Sequence, residues 1–286
     1  MDTKSAVVAP LRKILGPAYD PLRRTELRLE CMLRHRSDDA LTAEAQQYWT
    51  RDDEVMPQMS HWRGAGIFGD EDRWLAMGRR HLELYGQLLE MADRAPSLRR
   101  IVEWGPGGGA NAVFFAPLAE RFVGIDVSPE NLSECAEQLA AMHFDGFEPI
   151  LIPVADPARA LREVRGPAEL FLCTYVFEVM PSQEYGYQVL RLAERMLVER
   201  GLALVQVKFV TRSWETRPRR FSYRRNLGHL TSYDIEEFWT AAERIGFDPI
   251  AVKLLTEDPL NENGPYAYFL LQKRETPEGV IDLRDR

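Results

Sequence analysis

The chain has 286 residues, of which 45% are hydrophobic and 28% are charged. These are ordinary values for a folded protein and exclude a disordered chain, a coiled coil and a collagen-like repeat. The formal net charge of −8 creates a field that repels nucleic acids and anionic membranes, although it is compatible with a local basic patch. The length suits one large α/β domain with a helical accessory region.

The three cysteines, Cys31, Cys135 and Cys173, are widely spaced and form no C-x-x-C pair. This spacing disfavours a disulfide framework and a structural zinc site, and favours the reducing cytoplasm. The apolar run at residues 6–11 is interrupted by Pro10 and is too short for a signal peptide, and no stretch reaches the ~18 apolar residues of a membrane span. We therefore expect a cytoplasmic protein without membrane contact, as a monomer or homodimer.

The first hundred residues are predicted to form helical pieces separated by prolines and glycines. The strongest helix spans residues 72–93, where apolar or small residues recur every three or four positions. After residue 99, short apolar runs alternate with helices. These runs predict strands at residues 100–103, 121–126, 149–154, 169–175, 201–209, 249–255 and 266–273.

Three of the later helices carry clear end signals. Ser128 followed by Pro129 predicts one start, and Ser182 predicts a second. The sequence TSYD at residues 231–234 predicts a capping box for a third helix, which Gly246 ends. Strands that alternate with helices of ~10–15 residues predict an α/β fold, a doubly wound and mostly parallel sheet with helices on both faces.

The sequence VEWGPGGGA at residues 102–110 joins the first strand to a helix. Glycines allow the main chain to turn sharply and a cofactor to pack directly against it. Asp126 ends the second strand, 19 residues after Gly107, where its carboxylate can accept both hydroxyls of an adenosine ribose. The spacing G-x-G-x-x-A also fits a nicotinamide or flavin dinucleotide. Glu103 argues against both dinucleotides. A carboxylate at this position suits a cationic amino acid group of a cofactor better than it suits a pyrophosphate.

Three segments in this order and spacing resemble the class I S-adenosylmethionine-dependent methyltransferases. They are the glycine motif, GIDVSPENL at residues 124–132 and LCTYVFEVMP at residues 172–181. The resemblance covers residues 99–274 and implies a seven-stranded sheet whose last strand is antiparallel. It also implies a cofactor-binding domain at residues 96–274, a helical N-terminal region at residues 1–95 that builds the acceptor pocket, and a tail at residues 275–286.

The resemblance assigns cofactor-binding roles to individual residues of this chain. Glu103 and the glycine backbone would hold the methionine part, Asp126 the ribose, and Asp156 the adenine amino group. Thr174 and Tyr175 would lie beside the sulfonium. The full set is Glu103, Gly105, Gly107, Gly109, Asp126, Val127, Ala155, Asp156, Thr174 and Tyr175.

Three residues are candidates for catalysis. Many relatives carry a histidine after the glutamate of the fourth-strand segment, but this chain has Val179 there, so no catalytic histidine is carried over. Glu178 is expected near the transferred methyl group, and His229 and His61 lie in predicted loops that can reach the mouth of the site. A structural hydrogen bond is the alternative role for Glu178, and a surface or capping role is the alternative for both histidines.

The stretch at residues 208–225 holds seven basic residues and one acid, a net charge of +6 within an acidic chain. Since the segment after strand five lines the acceptor pocket in this fold, these residues predict an anionic acceptor held by arginines and an aromatic wall. A nucleic-acid platform uses the same residue types. The other alternative is a solvated loop that pairs with neighbouring acids such as Asp234, Glu236 and Glu237. The predicted acceptor-binding residues are Trp62, Arg63, Arg219, Arg220 and Tyr223.

Four N-terminal aromatic residues allow two interpretations. Trp49, Trp62, Phe68 and Trp74 could form a lid over the acceptor or the core that docks the helices on the sheet. No metal-binding spacing such as H-x-E or H-E-x-x-H is present, and no metal is expected.

The sequence thus predicts methyl transfer from S-adenosylmethionine to an oxygen or nitrogen of a small molecule, with S-adenosylhomocysteine as the product. The alternatives are a methyltransferase acting on nucleic acid or protein, a non-catalytic partner subunit that binds the cofactor, and a nicotinamide-dependent oxidoreductase. The overall acidic charge makes a nucleic-acid partner the less favoured choice.

Overall fold

The computed structural model describes residues 19–33, 35–51, 55–256 and 264–275. The apolar run at residues 6–11 and residues 276–286 of the predicted tail lie outside these residues. Nine helices and seven strands are present in the described part. The helices are α1 Tyr19–Met32, α2 Asp38–Trp49, α3 Val55–Met59, α4 Glu71–Met91, α5 Ala112–Phe115, α6 Pro129–Ala141, α7 Arg159–Glu163, α8 Gln183–Met196 and α9 Ile235–Ile245. The strands are β1 Arg100–Trp104, β2 Arg121–Asp126, β3 Phe147–Leu151, β4 Ala168–Cys173, β5 Leu197–Lys208, β6 Phe247–Leu255 and β7 Tyr266–Lys273.

The seven strands form one sheet in the order β3-β2-β1-β4-β5-β7-β6. The pairs β1–β2, β2–β3, β1–β4 and β4–β5 are parallel, and β7 is antiparallel to both β5 and β6. The predicted fold class, including the antiparallel last strand, is therefore confirmed. Since the strand order reverses between β1 and β4, a crevice opens there at the carboxyl ends of the strands.

Helices cover both faces of the sheet. One face packs against α8 and α9 through a core that includes Val189, Leu190 and Phe238. The other face packs against α4, α5 and α6 through Leu84, Phe115 and Leu139. The central strands β4 and β5 are almost wholly buried over their paired residues, which is why they appear in the sequence as apolar runs.

The predicted helix starts at Ser128 and Ser182 are confirmed. Each serine side chain accepts a hydrogen bond from a backbone N–H in the first turn of α6 or α8. The predicted capping box of α9 is wrong in its cap residue. Asp234 caps the helix by accepting from two backbone N–H groups, whereas the Thr231 hydroxyl donates to the Met180 carbonyl. A short β-bridge at Tyr233 keeps the chain extended before the helix, so the cap moves to the next residue.

The four helices α1 to α4 and their connecting loops, called the cap below, confirm the predicted helical N-terminal region. Helix α4 begins and ends within two residues of its predicted bounds, with Asp70 as its N-cap. Phe68 and Trp74 are fully buried in a cluster with Met77, Ala110 and Val113. These two aromatic residues therefore belong to the core that docks the cap on the sheet domain. Trp49 has a different position, described below.

Candidate functional site

A partly open cavity lies at the crevice between β1 and β4. The loops after β1, β2, β3 and β4 form its floor, and the cap forms its roof. Seven of the predicted site residues line it, and they come from four separate parts of the chain. These are His61, Gly105, Gly107, Asp126, Val127, Thr174 and Tyr175.

The glycine loop after β1 is in direct contact with the cap. Gly107 has φ +52, and a Cβ on it would lie 2.5 Å from the carbonyl oxygen of Ser60. A Cβ on Gly108 would lie 2.6 Å from the Cα of Trp62, while the Gly108 N–H donates to the Ser60 carbonyl at 2.8 Å. A side chain at either glycine would thus push the cap away from the loop. Gly109 lies behind the cavity, facing Cys135.

Asp126 is a buried carboxylate at the end of β2. Its Oδ1 accepts hydrogen bonds from the backbone N–H groups of Val127 and Ser128 at 2.7 and 2.9 Å and from Asn131 Nδ2 at 3.3 Å. Its Oδ2 receives only a long contact, 3.4 Å, from the Gly107 N–H within the described residues. Burial raises the pKa of Asp126, and these hydrogen bonds oppose that rise. One oxygen is therefore held by the protein while the other has capacity for further donors.

Glu103 is buried behind the cavity wall. Its Oε1 accepts from Asn111 Nδ2 at 2.7 Å, whereas its buried Oε2 has no hydrogen-bond partner among the described residues. Burial raises the pKa of Glu103 to about 8. An unpaired buried carboxylate oxygen is costly, and such an exception calls for a bound donor that would satisfy it.

Asn111 connects Glu103 to the opposite side of the site. Its Nδ2 also donates to Thr174 Oγ1 at 2.9 Å, so both amide hydrogens are used. The amide oxygen then accepts from His81 Nδ1 at 2.7 Å, which places a proton on Nδ1. His81 Nε2 lies 3.4 Å from the Tyr268 hydroxyl. This buried network holds the floor of the cavity in one arrangement.

Tyr175 occupies the turn after β4 in a strained left-handed conformation, with φ +57. Its backbone N–H donates to Gln206 Oε1 at 2.6 Å. Its ring lies between His61 and His81, with centroid distances of 5.6 and 5.2 Å. Such strain is retained where the surrounding structure enforces it, and it is common at functional sites. The strand was predicted to reach Tyr175 but ends at Cys173, because this turn redirects the chain.

His61 also has a left-handed backbone, with φ +57. Its ring packs edge-on against Phe68 at 5.0 Å and Tyr175 at 5.6 Å. Within the described part of the chain, neither ring nitrogen has a hydrogen-bond partner. Burial, together with the charge of nearby His81, lowers the pKa of His61 to about 4, so the imidazole is neutral at pH 7.

The other two candidate catalytic residues lie outside the cavity lining. Glu178 is buried in a short turn, accepts from the Tyr266 hydroxyl at 3.2 Å, and has its pKa raised by burial to about 7. His229 Nδ1 lies 2.8 Å from Lys208 Nζ, which also donates to the Gly228 carbonyl at 3.0 Å. Both side chains have protein partners in this structure, and their predicted contact with the reacting groups stays a prediction.

Asp156 and Ala155 are likewise absent from the cavity lining. The Asp156 carboxylate accepts from Arg162 at 2.7 Å and is partly exposed. The neighbouring backbone is covered by the cap, where Gln46 Oε1 accepts from the Val154 N–H at 2.6 Å. The contact of Asp156 with an adenine amino group stays a prediction, and in this structure its carboxylate is paired with Arg162.

The predicted acceptor-binding arginines hold the cap instead of lining the cavity. Arg219 is 3% exposed and pairs with Glu30 of α1 at 3.2 Å. Arg220 pairs with Asp38 of α2 and donates to the Pro181 carbonyl at 2.8 Å. Both arginines meet acids of the cap, as the alternative of pairing with acids anticipates in kind, and their contact with an acceptor stays a prediction. The acids near α9 that were named as alternative partners, Asp234, Glu236 and Glu237, are not the partners of these two arginines.

Three more predicted acceptor contacts have other partners. Arg63 pairs with the exposed Glu71. Tyr223 is buried, donates to the Val179 carbonyl and accepts from Trp49 Nε1, both at 2.6 Å. Trp62 Nε1 donates to Asn131 Oδ1 at 2.9 Å. None of the three lines the cavity, although Trp62 and Tyr223 each bond a residue that does, and their direct contact with an acceptor stays a prediction.

Several cavity residues escaped the sequence reasoning. They are polar or apolar residues of the cap and of the strand ends: Met59, Ser60, Met77, His81, Asn111, Asn131, Ile152, Val176 and Val179. Trp49, one of the four aromatic residues considered for a lid, also lines the cavity. His81 could have been found from its position on the buried face of a strong amphipathic helix, since a buried histidine needs partners. Asn111, next to the glycine motif, carried no distinctive pattern of its own.

The described residues contain neither a metal-binding cluster nor a membrane-spanning helix. No group of three or more His, Cys, Asp or Glu side chains there is arranged to hold a metal ion. No helix in the described ranges combines the length and apolar character needed to cross a bilayer.

Comparison with known proteins gives the class. Residues 77–252 match a family model described as a methyltransferase domain. Since this match spans more than half of the chain, the protein belongs to that family, within the class I S-adenosylmethionine-dependent methyltransferases. No curated protein sequence matches the chain.

Solved structures support the same fold. The N-methyltransferase NodS from Bradyrhizobium japonicum WM9 has a TM-score of 0.50 at 13% identity, with 68% of this chain and 97% of that chain covered. An S-adenosylmethionine-dependent methyltransferase from Clostridium acetobutylicum has a TM-score of 0.50 at 8% identity, covering 72% of this chain and 93% of that one. At such low identity these likenesses concern the fold.

Proposed function

We propose that the chain transfers a methyl group from S-adenosylmethionine to an oxygen or nitrogen of a small molecule. One observation carries the proposal: a single cavity joins the glycine loop and Asp126 to a wall made by the cap. This arrangement supports a cofactor and an acceptor that meet in one cavity. The three cysteines are free, which agrees with the cytoplasmic location that we propose.

The residues present fit the cofactor. Asp126 Oδ2 has capacity to accept from ribose hydroxyls, and the unpartnered Glu103 Oε2 suits a cationic amino group. Val127 and Ile152 offer apolar contacts for a purine ring. Gly105, with φ +75, keeps the loop open beside them. A NodS structure contains S-adenosylhomocysteine, which agrees with this choice of cofactor.

When bound, the cofactor supplies an electrophilic methyl group whose carbon–sulfur bond breaks as the acceptor's lone pair forms the new bond. The chain's task is to align the two partners, and such positioning can supply ~7–11 kcal/mol. The network of Asn111 keeps Thr174 and Glu103 in place for this. Neutral His61, with open ring nitrogens at the cavity, is our candidate to take the proton from a hydroxyl acceptor.

The proposal is tested by calorimetry and labelling. Wild-type protein should bind S-adenosylhomocysteine, and incubation with methyl-labelled S-adenosylmethionine and fractionated cell extract should label a compound of low mass. His61→Gln should lower turnover of a hydroxyl acceptor while leaving S-adenosylhomocysteine binding unchanged. Tight binding of NADH without binding of S-adenosylhomocysteine would favour the oxidoreductase. Binding of S-adenosylhomocysteine with label only in polymer, or with no label, would favour a macromolecular acceptor or a non-catalytic subunit.

A further inference from the structure

The groups that we propose to hold the cofactor follow one another across the edge of the sheet. Glu103 lies on β1, Asp126 ends the neighbouring strand β2, and Ile152 comes directly after β3. The Ile152 N–H donates to the backbone carbonyl of Asp126 at 3.0 Å, which holds these two residues side by side. With the amino group at Glu103 and the ribose at Asp126, the purine points toward the β3 end of the cavity, because the ribose lies between the amino acid part and the base.

Helix α2 of the cap is fixed to this end of the cavity. Gln46 Oε1 accepts a hydrogen bond from the Val154 N–H at 2.6 Å, which joins the helix to the loop after β3. Trp49 lies three residues after Gln46, on the same face of α2. It lines the cavity together with Val127 and Ile152. The last residue of this helix therefore shares one end of the cavity with the apolar residues that follow β2 and β3.

Two buried tyrosines determine which part of the Trp49 indole is available. Its Nε1 donates to the Tyr223 hydroxyl at 2.6 Å, and Tyr223 does not line the cavity. The Tyr48 ring packs against the indole with 5.0 Å between the ring centroids and an angle of 82° between the planes. Tyr48 and Tyr223 are buried, whereas Trp49 is only partly buried. Because its polar atom is engaged elsewhere, the indole presents carbon atoms to the cavity, and these suit an aromatic base.

The other aromatic side chains of the lining are placed differently. Tyr175 packs against His61 and His81, and the hydrogen-bond network of His81 leads to β1. Trp104 is the last residue of β1, is 5% exposed and belongs to the core of the sheet. Among the described residues of the lining, Trp49 is thus the aromatic side chain that belongs to the β3 end.

Resting on the function proposed above, we propose that Trp49 stacks on the purine of the cofactor, so that the cap takes part in cofactor binding. Aromatic side chains bind nucleic-acid bases in this way because every base has a flat π-face. This role differs from that of a lid over the acceptor. Since Trp49 belongs to the cap and contacts the cofactor, cofactor binding and docking of the cap stabilise one another.

Calorimetry with S-adenosylhomocysteine and the full-length protein tests this inference. Trp49→Leu removes the ring but keeps an apolar side chain, and we expect it to weaken binding about fivefold or more. Trp49→Phe keeps an aromatic face and should weaken binding less than about threefold. Trp239→Leu, a matched change on α9 outside the lining, should leave the affinity unchanged. Unchanged affinity in Trp49→Leu, or an equal loss in the Leu and Phe variants, would overturn the inference.

A fluorescence measurement separates contact with the base from mere support of the cap. Tryptophan emission of the wild-type protein should be quenched when S-adenosylhomocysteine binds, and part of that quenching should be missing in Trp49→Phe although calorimetry shows the ligand bound. This comparison needs only the Phe variant, so it decides the question even where Trp49→Leu fails to fold. Equal quenching in both proteins would refute the stacking. Failure of the wild-type protein to bind S-adenosylhomocysteine would instead overturn the proposed function, and the inference with it.

Discussion

Two glycines of α4 predict opposite effects for the same substitution. Gly78 faces the sheet domain, and a Cβ there would lie 1.9 Å from the Ala110 carbonyl oxygen and 2.6 Å from the Phe114 ring. Gly86 lies eight residues later, is exposed, and would place a Cβ in open space. Alanine is more favourable than glycine in a helix interior by ~1 kcal/mol, and both substitutions gain this amount. The difference in stability between the two variants therefore comes from packing alone.

The magnitude follows from the distances. To reach even 3.0 Å from the new methyl group, the Ala110 carbonyl would have to move by roughly 1.1 Å. Overpacking of this kind costs ~1–3 kcal/mol. The nearest atom here belongs to a backbone carbonyl, which moves less readily than the end of a flexible side chain. We expect Gly78→Ala to lower the free energy of unfolding by ~1–2 kcal/mol after the helix gain, and Gly86→Ala to raise it by ~0.5–1 kcal/mol.

Urea denaturation followed by circular dichroism measures both effects. Because Ala110 lines the cavity, Gly78→Ala should also weaken S-adenosylhomocysteine binding by calorimetry, whereas Gly86→Ala should not. A Gly78→Ala protein as stable as wild type, with unchanged ligand affinity, would refute the close approach of α4 to the glycine loop.

Three further predictions concern the polar groups of the site. Asp126→Asn should weaken S-adenosylhomocysteine binding ~5–100-fold in calorimetry, since an amide nitrogen cannot accept from a ribose hydroxyl; wild-type affinity would contradict the assignment. Trp62→Phe removes the donor to Asn131 and should cost ~1 kcal/mol of unfolding free energy, whereas Trp239→Phe, which loses a bond on the surface, should cost almost nothing. Burial raises the pKa of Glu103 from 4.5 to about 8, so the unfolded state releases this proton first and stability falls as pH rises between those values. Denaturation across pH 5–8 without ligand should show that fall reduced in Glu103→Gln, and an equal slope in both proteins would disprove it.

Much of the sheet domain could be predicted because its signals are local. Buried parallel strands require continuous apolar runs, and helix starts require capping hydroxyls, as at Ser128 and Ser182. The glycine loop and Asp126 combine a local pattern with a fixed spacing, and both line the cavity. The small errors occurred where tertiary contacts decide a boundary, such as the turn at Tyr175 and the cap of α9 at Asp234.

The part of the cavity that the cap forms could not be predicted in the same way. Its residues come from the cap, and their partners are remote in sequence. Arg219 meets Glu30 across 189 positions, so a basic run that looked like an anion site has a structural role. A charge pattern shows that partners are needed but not which ones are present. His81 and Asn111 likewise acquire their role only when α4 packs against the glycine loop.

The glycine motif shows how one local pattern can satisfy two demands. Read as sequence, its glycines explain the close approach of a cofactor to the main chain. In the structure, Gly107 and Gly108 also leave the space in which Ser60 and Trp62 of the cap lie. The Trp62 indole bonds Asn131, which in turn donates to Asp126. The cap wall of the cavity is therefore attached to the groups that we propose to hold the cofactor, so a change in the glycine loop should disturb both parts of the cavity together.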